Sequence, residues 1–174
     1  MRTTTIASPI GPLVLVAEAG AITGLYMNTP HHAVVKDDWI ESPDDPLLRR
    51  AAERLGEYFA RARREFDLPL LPKGTEFQAR VWAELLRIPY GATISYGELA
   101  RRMGDANASR AVGLANGRNP ISILVPCHRV IGASGKMTGY GGGVERKIAL
   151  LELERPELGL FGAEESGGDP VLAS

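Results

Sequence analysis

The chain contains one cysteine, and the stretch around it constrains the fold more than any other. Cys127 lies in Ile123-Leu-Val-Pro-Cys-His-Arg-Val-Ile131, with an apolar run leading in and Val130-Ile131 leading out. Such a run reads as a buried segment. Pro126 interrupts regular pairing within it because proline has no backbone donor. The thiol therefore sits near the end of a core segment, next to His128. A thiolate is a strong nucleophile that needs a proton acceptor, and an imidazole can serve. A free cysteine is equally at home as a small buried hydrophobe, so the pair alone leaves both roles open. A single cysteine does exclude an internal disulfide and a multi-cysteine zinc site.

With 174 residues, 44% of them hydrophobic, the chain can form one domain or two small ones around a packed core. The net charge of −1 is unevenly spread. Residues 157–174 carry Glu157, Glu164, Glu165 and Asp169 and no basic residue, whereas residues 75–156 hold 11 Lys/Arg against 7 Asp/Glu. That is a mild bias toward a polyanionic partner. No charged-then-apolar leader opens the sequence, and no apolar run reaches membrane-spanning length. A cytoplasmic protein without membrane contact is expected.

Three short strands are expected in the first 27 residues: Thr3-Thr-Thr-Ile-Ala, Leu13-Val-Leu-Val16 and Ile22-Thr-Gly-Leu-Tyr-Met27. Turns at Ser8–Gly11 and Glu18–Gly20 would join them into an antiparallel meander. Residues 28–45 read as a loop, and its His31-His32 pair lacks the carboxylate or thiol neighbours a metal site needs. Leu48, Ala51, Ala52, Leu55, Phe59, Ala62 and Phe66 mark one face of a helix from about 46 to 64. Its other face carries Arg49, Arg50, Arg54, Arg61, Arg63 and Arg64, which reads as solvated rather than as a DNA patch. Leu68–Gly74 is a proline-bounded connector, and the domain boundary is placed there.

Thr75-Glu-Phe-Gln78 is a capping box opening a helix through Phe77, Val81, Trp82, Leu85 and Leu86 that stops before Pro89. Ser95-Tyr-Gly-Glu98 is a second such box and starts a short helix to Met103. After a Gly104–Ala106 turn, Asn107 is expected to cap a helix over 108–117. Two short helices across a tight turn form a helix-turn-helix signature. In the second helix Ala108, Ala111, Val112 and Ala115 are assigned to the packed stripe. The remaining face, Ser109, Gly113, Asn116 and Gly117, carries one long side chain, Arg110. A helix that reads bases in the major groove needs several long donors. A bare face suits close, sequence-tolerant contact with a minor groove, or equally tight packing inside the protein. Beyond Cys127, residues 132–143 include six glycines and read as an adaptable loop near the thiol. A helix with Val144, Ile148, Leu150, Leu151 and Leu153 follows and ends at Pro156. Its last turn holds Glu154, which either faces solvent or returns to orient the histidine. Residues 157–174 are expected to form a flexible acidic tail.

Pro126-Cys-His-Arg-Val130, together with Arg110-Ala-Val-Gly-Leu-Ala-Asn116, Asn119-Pro120 and Gly139-Tyr-Gly-Gly-Gly143, resembles the O6-alkylguanine-DNA alkyltransferases (methylated-DNA–protein-cysteine methyltransferases). The likeness is strong over about 75–155. It implies an α+β fold: a ribonuclease H-like N-terminal domain (1–74) with a small antiparallel sheet and a helix, joined to a mostly helical domain (75–156) with the helix-turn-helix, then the tail (157–174). It also implies single-turnover transfer of an alkyl group from O6-alkylguanine, flipped out of duplex DNA, to Cys127. No cofactor or metal is implied. His128, acting through a water, and Glu154 match the activators, and Asn119 matches a supporting asparagine. Tyr96 matches the tyrosine beside the flipped nucleotide, which donates a proton to the leaving guanine. Arg110 matches the finger that fills the emptied stack. Ala108, Ser109, Ala111, Gly113 and Asn116 match the DNA-contacting helix; Val130, Ser134, Tyr140 and Gly141 match the base pocket. The partner implied is double-stranded DNA bound sequence-tolerantly in the minor groove by a monomer, with clustering on DNA left open.

The single cysteine means that this chain lacks the four-cysteine zinc domain of some relatives. Some relatives carry a bulkier polar residue where Gly141 stands, so a wider pocket is one consequence to consider. Alkyltransferase-like proteins lack the cysteine, and Cys127 argues against that class. Two other readings remain on the residues themselves: a DNA-binding regulator with a structural Cys127, and a cysteine hydrolase.

Overall fold

The structure is a computed structural model that describes residues 1–27, 36–137, 140 and 142–156. His31, His32, Gly141 and the acidic tail lie outside the described residues. The chain divides into two compact units, one of Met1–Lys73 with Pro120–Leu124, the other of Gly74–Asn119 with the chain from Val125 onward.

The first unit is a sheet with one helix. Strands β1 (Arg2–Ile6), β2 (Leu13–Glu18) and β3 (Ala21–Met27) form the expected antiparallel meander, and β4 (Ile40–Glu41) adds to β1 in parallel, giving the order β3-β2-β1-β4. Central β2 is buried from Leu13 through Ala17, as a strand enclosed on both faces must be. Two returning segments cover the outer edge of β3. Ile22 exchanges backbone hydrogen bonds with Pro69 and Leu71, and Leu25 with Pro120 and Ser122. An edge closed in this way offers no ladder to a foreign strand. Past that contact Leu124 N–H bonds Ser122 O at 2.8 Å across Ile123, whose φ of 70° is a rare left-handed γ-turn for a buried β-branched residue.

Helix α1 (Pro46–Phe59) starts as its sequence directs. The Asp45 carboxylate caps Leu48 N–H at 3.0 Å, and Pro46 occupies the first turn, where no donor is needed. Leu48, Ala51, Leu55 and Tyr58 form its buried line. The helix ends five residues before the expected 64, at Phe59. Ala62 N–H reaches Glu57 O and Arg61 N–H reaches Tyr58 O, with Arg61 at φ 60°. This is a Schellman ending in which an arginine holds the position glycine usually takes, so Ala62 and Phe66 lie beyond the helix. The arginine face is solvated and paired: Arg54 and Arg63 both meet Glu57 and Asp67.

The second unit carries the helices. Thr75 and Gln78 make the reciprocal capping box at the start of α2 (Glu76–Leu85). Gly74 lies against that helix so closely that a Cβ would come within 2.4 Å of the Trp82 ring. Ser95 caps α3 (Tyr96–Arg102) through Glu98 N–H, while the Glu98 carboxylate goes to Arg101 and Arg102. Helix α4 (Ser109–Gly117) begins after Ala108 with no side-chain cap; Asn107 does not cap it. The Asn107 N–H is instead held by Asp105 in the preceding turn. Short parallel strands β5 (Ile94–Ser95) and β6 (Val130–Ile131) pair, and α5 (Val144–Glu154) closes the unit. Among the described residues no helix is long and apolar enough to cross a membrane.

Trp82 is buried, and its indole N–H donates to Ala115 O at 2.8 Å, joining α2 to α4. Trp82→Phe removes that bond and part of the ring volume. It is expected to lower unfolding stability by about 1–3 kcal/mol in urea titration; an unchanged midpoint would show that the contact is dispensable.

Candidate active site

The cysteine is delivered by two tight turns. Pro126 has φ −81° and ψ 64°, and Cys127 N–H bonds Val125 O at 2.8 Å. This is an inverse γ-turn, whose φ a proline ring favours. Cys127, His128 and Arg129 then form a single 3-10 turn that runs into β6, all three buried. Two asparagines hold this backbone. Asn119 Nδ2 donates to Val125 O at 2.8 Å, and Asn116 Nδ2 to Cys127 O at 3.3 Å.

The histidine is oriented by a carboxylate from α5. Leu150, Leu151 and Glu154 are buried on one face of that helix, together with Lys147. His128 Nε2 lies 2.8 Å from Glu154 Oε2. Arg129 grips the same carboxylate with two bonds, Nε to Oε1 at 2.8 Å and Nη2 to Oε2 at 3.0 Å, and donates through Nη1 to Ile88 O at 2.7 Å. Gly91 N–H adds a bond to Oε1 at 3.3 Å. Gly91 has φ 81°, which a side chain would strain. The Arg129 guanidinium also stands over the Tyr90 ring, 5.8 Å from its centroid.

These contacts set the charges. Burial works against the Glu154 anion, but His128 and Arg129 outweigh it and hold the carboxyl well below the usual range. Burial pushes His128 down; Glu154 opposes this, while the Arg129 and Lys147 cations reinforce it. The imidazole is therefore neutral at neutral pH. With its Nε2 proton directed at Glu154, its Nδ1 presents a lone pair. Nδ1 is buried and has no hydrogen-bond partner among the described residues, so its lone pair is available to accept a proton. Burial pushes the Cys127 thiol up, and the Asn119 amide and Lys147 ammonium pull it back.

The family model described as 6-O-methylguanine DNA methyltransferase, DNA binding domain, matches residues 76–156. The ribonuclease-like domain of 6-O-methylguanine DNA methyltransferase matches residues 1–72. A methylated-DNA–protein-cysteine methyltransferase of Mycobacterium tuberculosis is 55% identical over 151 residues, covering 87% of this chain and 90% of its own. The chain belongs to this methyltransferase family. A relative of the same name from Methanosarcina acetivorans is 49% identical over 148 residues, 84% of this chain and 94% of its own. The crystal structure of Mycobacterium tuberculosis OGT in complex with DNA superposes with a TM-score of 0.83 at 52% identity, covering 90% of this chain and 94% of that one.

Within this methyltransferase fold the structure gathers Cys127, His128, Glu154 and Asn119 at one place, and Tyr96 opens α3. Arg110 and Ala111 are exposed on α4, Ala108, Ser109 and Gly113 are half-buried, and Gly113 lies beside the Tyr96 ring. The face assignment of α4 needs two corrections. Ala111 points outward, not into the packed stripe, and Asn116 is buried against Cys127 O, not on the bare face. The helix starts one residue later than expected, and Leu114, 60% exposed, completes the outer face with Gly117 and Arg118. Val130 is buried in β6, Tyr140 is buried, and Ser134 is exposed. Sequence reasoning passed over Arg129. Its signal was position: a cation beside a proposed His–Glu pair, inside an apolar run.

Glu154 has a folded pKa below its unfolded value of about 4.3, so its stabilising contribution is complete above that pH and is lost as the pH falls. The depressed His128 works in the same direction from about 6.5 downward, because the unfolded chain takes the proton that the folded one resists. Glu154→Gln strips Arg129 of its buried partner and is expected to cost about 3–5 kcal/mol at pH 7. It should also flatten the stability loss below about pH 5. Urea denaturation between pH 7 and 3 checks both; parallel pH curves for the two proteins would refute the assignment.

Proposed function

We propose that this chain repairs DNA by direct reversal, taking the alkyl group from O6-alkylguanine onto Cys127 Sγ irreversibly, once per molecule. The observation that carries the reading is the series Cys127–His128–Glu154, with Nε2 committed to the carboxylate and Nδ1 left as a base. It stands in a chain of the methylated-DNA–protein-cysteine methyltransferase family. His128 Nδ1 takes the thiol proton through a bridging water. Sγ attacks the saturated alkyl carbon; the S–C bond forms as the C–O6 bond breaks, and the electron pair goes to the guanine oxygen. The Tyr96 hydroxyl protonates the departing purine and recovers a proton from the imidazolium. No cofactor enters, because the acceptor is the protein's own sulfur. Asn119 supports the thiol, and Val130, Ser134, Tyr140 and Gly141 line the base pocket in this proposal.

The target atom is hidden in the duplex, so the base must be flipped out at a cost of a few kcal/mol. Arg110, exposed at the front of α4, fills the gap it leaves. The rest of the outer face, Ala111, Leu114, Gly117 and Arg118, has too few long donors to read a major groove. It suits close, sequence-tolerant contact with a minor groove by a monomer. The DNA complex of Mycobacterium tuberculosis OGT supports DNA as the partner. A cytoplasmic location fits such a role.

Intact-mass analysis after incubation with O6-methylguanine duplex should show the addition of one methyl mass, absent in Cys127→Ser. Unmodified wild-type protein would end the proposal. Arg110→Ala should slow repair in duplex by about tenfold or more while leaving reaction with free O6-benzylguanine nearly unchanged, if its gap-filling is worth at least 1.4 kcal/mol. Equal losses on both substrates would remove the gap-filling role.

A further inference from the structure

Four non-glycine residues among those described have a positive φ: Ala19, Arg61, Asp67 and Ile123. Ala19, Arg61 and Asp67 are exposed. Ile123 is 1% exposed and β-branched, a type poorly suited to its φ of 70°. An outlier of this kind persists only where its surroundings over-determine it, and such strain gathers at functional sites. Ile123 stands four positions before Cys127.

The constraints lie on both sides of the turn. Before it, Leu25 N–H of β3 donates to Pro120 O at 2.9 Å, and Leu25 O accepts from Ser122 N–H at 3.2 Å. Across it, Leu124 N–H closes on Ser122 O at 2.8 Å. After it, Val125 O accepts from Asn119 Nδ2 and from Cys127 N–H, both at 2.8 Å. A γ-turn of one hand at Ile123 and of the other hand at Pro126 therefore stand on either side of Val125. The proline ring sets φ at the second turn. No ring sets it at the first, where the buried branched side chain must hold it. The path has no spare residue. An extended φ at Ile123 would break the Leu124–Ser122 closure and carry Cys127 with it.

We propose that Ile123 is a positioning residue for the nucleophile, whose enforced turn sets where Cys127 Sγ stands. This rests on Cys127 being the alkyl acceptor. Displacement at the alkyl carbon needs the sulfur in line with the breaking C–O6 bond, and a misplacement of about 1 Å can slow such a step on the order of a hundredfold. Glycine would take the same φ without strain, but it would take many others as readily. Isoleucine is the stiffer choice. It gives up stability for placement.

The test compares Ile123→Ala with Ile123→Gly, and keeps Ile123→Val as the conservative variant. The two small residues leave spaces that differ by one methyl, but alanine retains the strain and glycine releases it. Ile123→Gly is therefore expected to have the higher urea midpoint of the two. Its single-turnover reaction with free O6-benzylguanine should nevertheless be about tenfold slower than that of Ile123→Ala, with Ile123→Val within about twofold of the wild type. A residue that merely supports the fold would give rates that follow stability. Iodoacetamide, a small reagent that needs access more than placement, should label Cys127 faster in Ile123→Gly than in Ile123→Ala. Equal rates for the two variants with either reagent overturn the proposal, as does a lower midpoint for Ile123→Gly. If neither variant folds, amide hydrogen exchange in the wild type decides. The Leu124 and Cys127 amides should open together, and a Cys127 amide that opens by itself overturns the proposal. Wild-type protein left unmethylated by lesion duplex overturns the repair function instead. The iodoacetamide order and the amide exchange still read the placement, so the two failures are distinct.

Discussion

The buried Glu154 carboxylate is the interaction on which the rest of the second unit depends. A lone carboxylate there would be neutralised or would unfold its surroundings. It persists because it accepts from His128 Nε2, from two nitrogens of Arg129 and from Gly91 N–H. The donors come from two pieces of chain: the 3-10 turn, and the bend after α2, which Arg129 also holds through Ile88 O. One side chain at the end of α5 therefore sets where three segments meet. Such a pair is weak as a source of net stability. Its value is geometric, since it fixes which imidazole nitrogen carries the proton and where the other points.

The same logic extends to the cysteine. Its backbone is held by amides rather than by charges: Asn119 takes Val125 O, and Asn116 takes Cys127 O. Amides place the chain without adding net charge, although the Asn119 amide also pulls the thiol down. Among the described residues, charge enters through Glu154 and Arg129 beside the histidine and through Lys147, which acts on both the histidine and the thiol. The site is thus a buried polar patch in which most contacts are positional and few are electrostatic. In a low-dielectric interior those few charges dominate the chemistry.

Much of this was legible in the sequence wherever local chemistry decides the outcome. Thr75 with Gln78 starts α2 through the full capping box as read, while Ser95 caps α3 but Glu98 does not return to it, its carboxylate going to Arg101 and Arg102. The meander follows from alternating turns and strands. The Cys-His pair and Glu154 came from motif and resemblance, and the structure joins the latter two at 2.8 Å. The misreadings share a cause. Arg61 ends α1 in a conformation associated with glycine, so no residue type announced the stop. Asp105 accepts from Asn107 N–H in the turn before α4, and no side chain caps that helix, so its start carries no local hydrogen-bond signal. The buried face of α4 is set by its packing, with Ala115 O taking the Trp82 indole and Asn116 meeting Cys127 O, which leaves Ala111 outward. Arg129 and Lys147 were overlooked because charged residues are rarely fully buried. Their burial depends on partners far apart in sequence, which no local pattern reveals.

The two faces of α4 belong to one rigid element. Its inner face carries Asn116, hydrogen-bonded to the carbonyl of the nucleophile, and Ala115, whose carbonyl takes the Trp82 indole. Its outer face carries Arg110, Ala111, Leu114, Gly117 and Arg118. Arg110 and Asn116 are less than two turns apart on one rigid element. A tight interior contact transmits small displacements instead of absorbing them, because protein cores are close-packed. Anything that presses on the outer face therefore bears on the backbone that holds the sulfur. A surface loop in the same position would lack that linkage. This gives a physical reason for placing the asparagine on the helix itself, close behind the residues that would meet DNA, rather than on the glycine-rich loop that follows the cysteine.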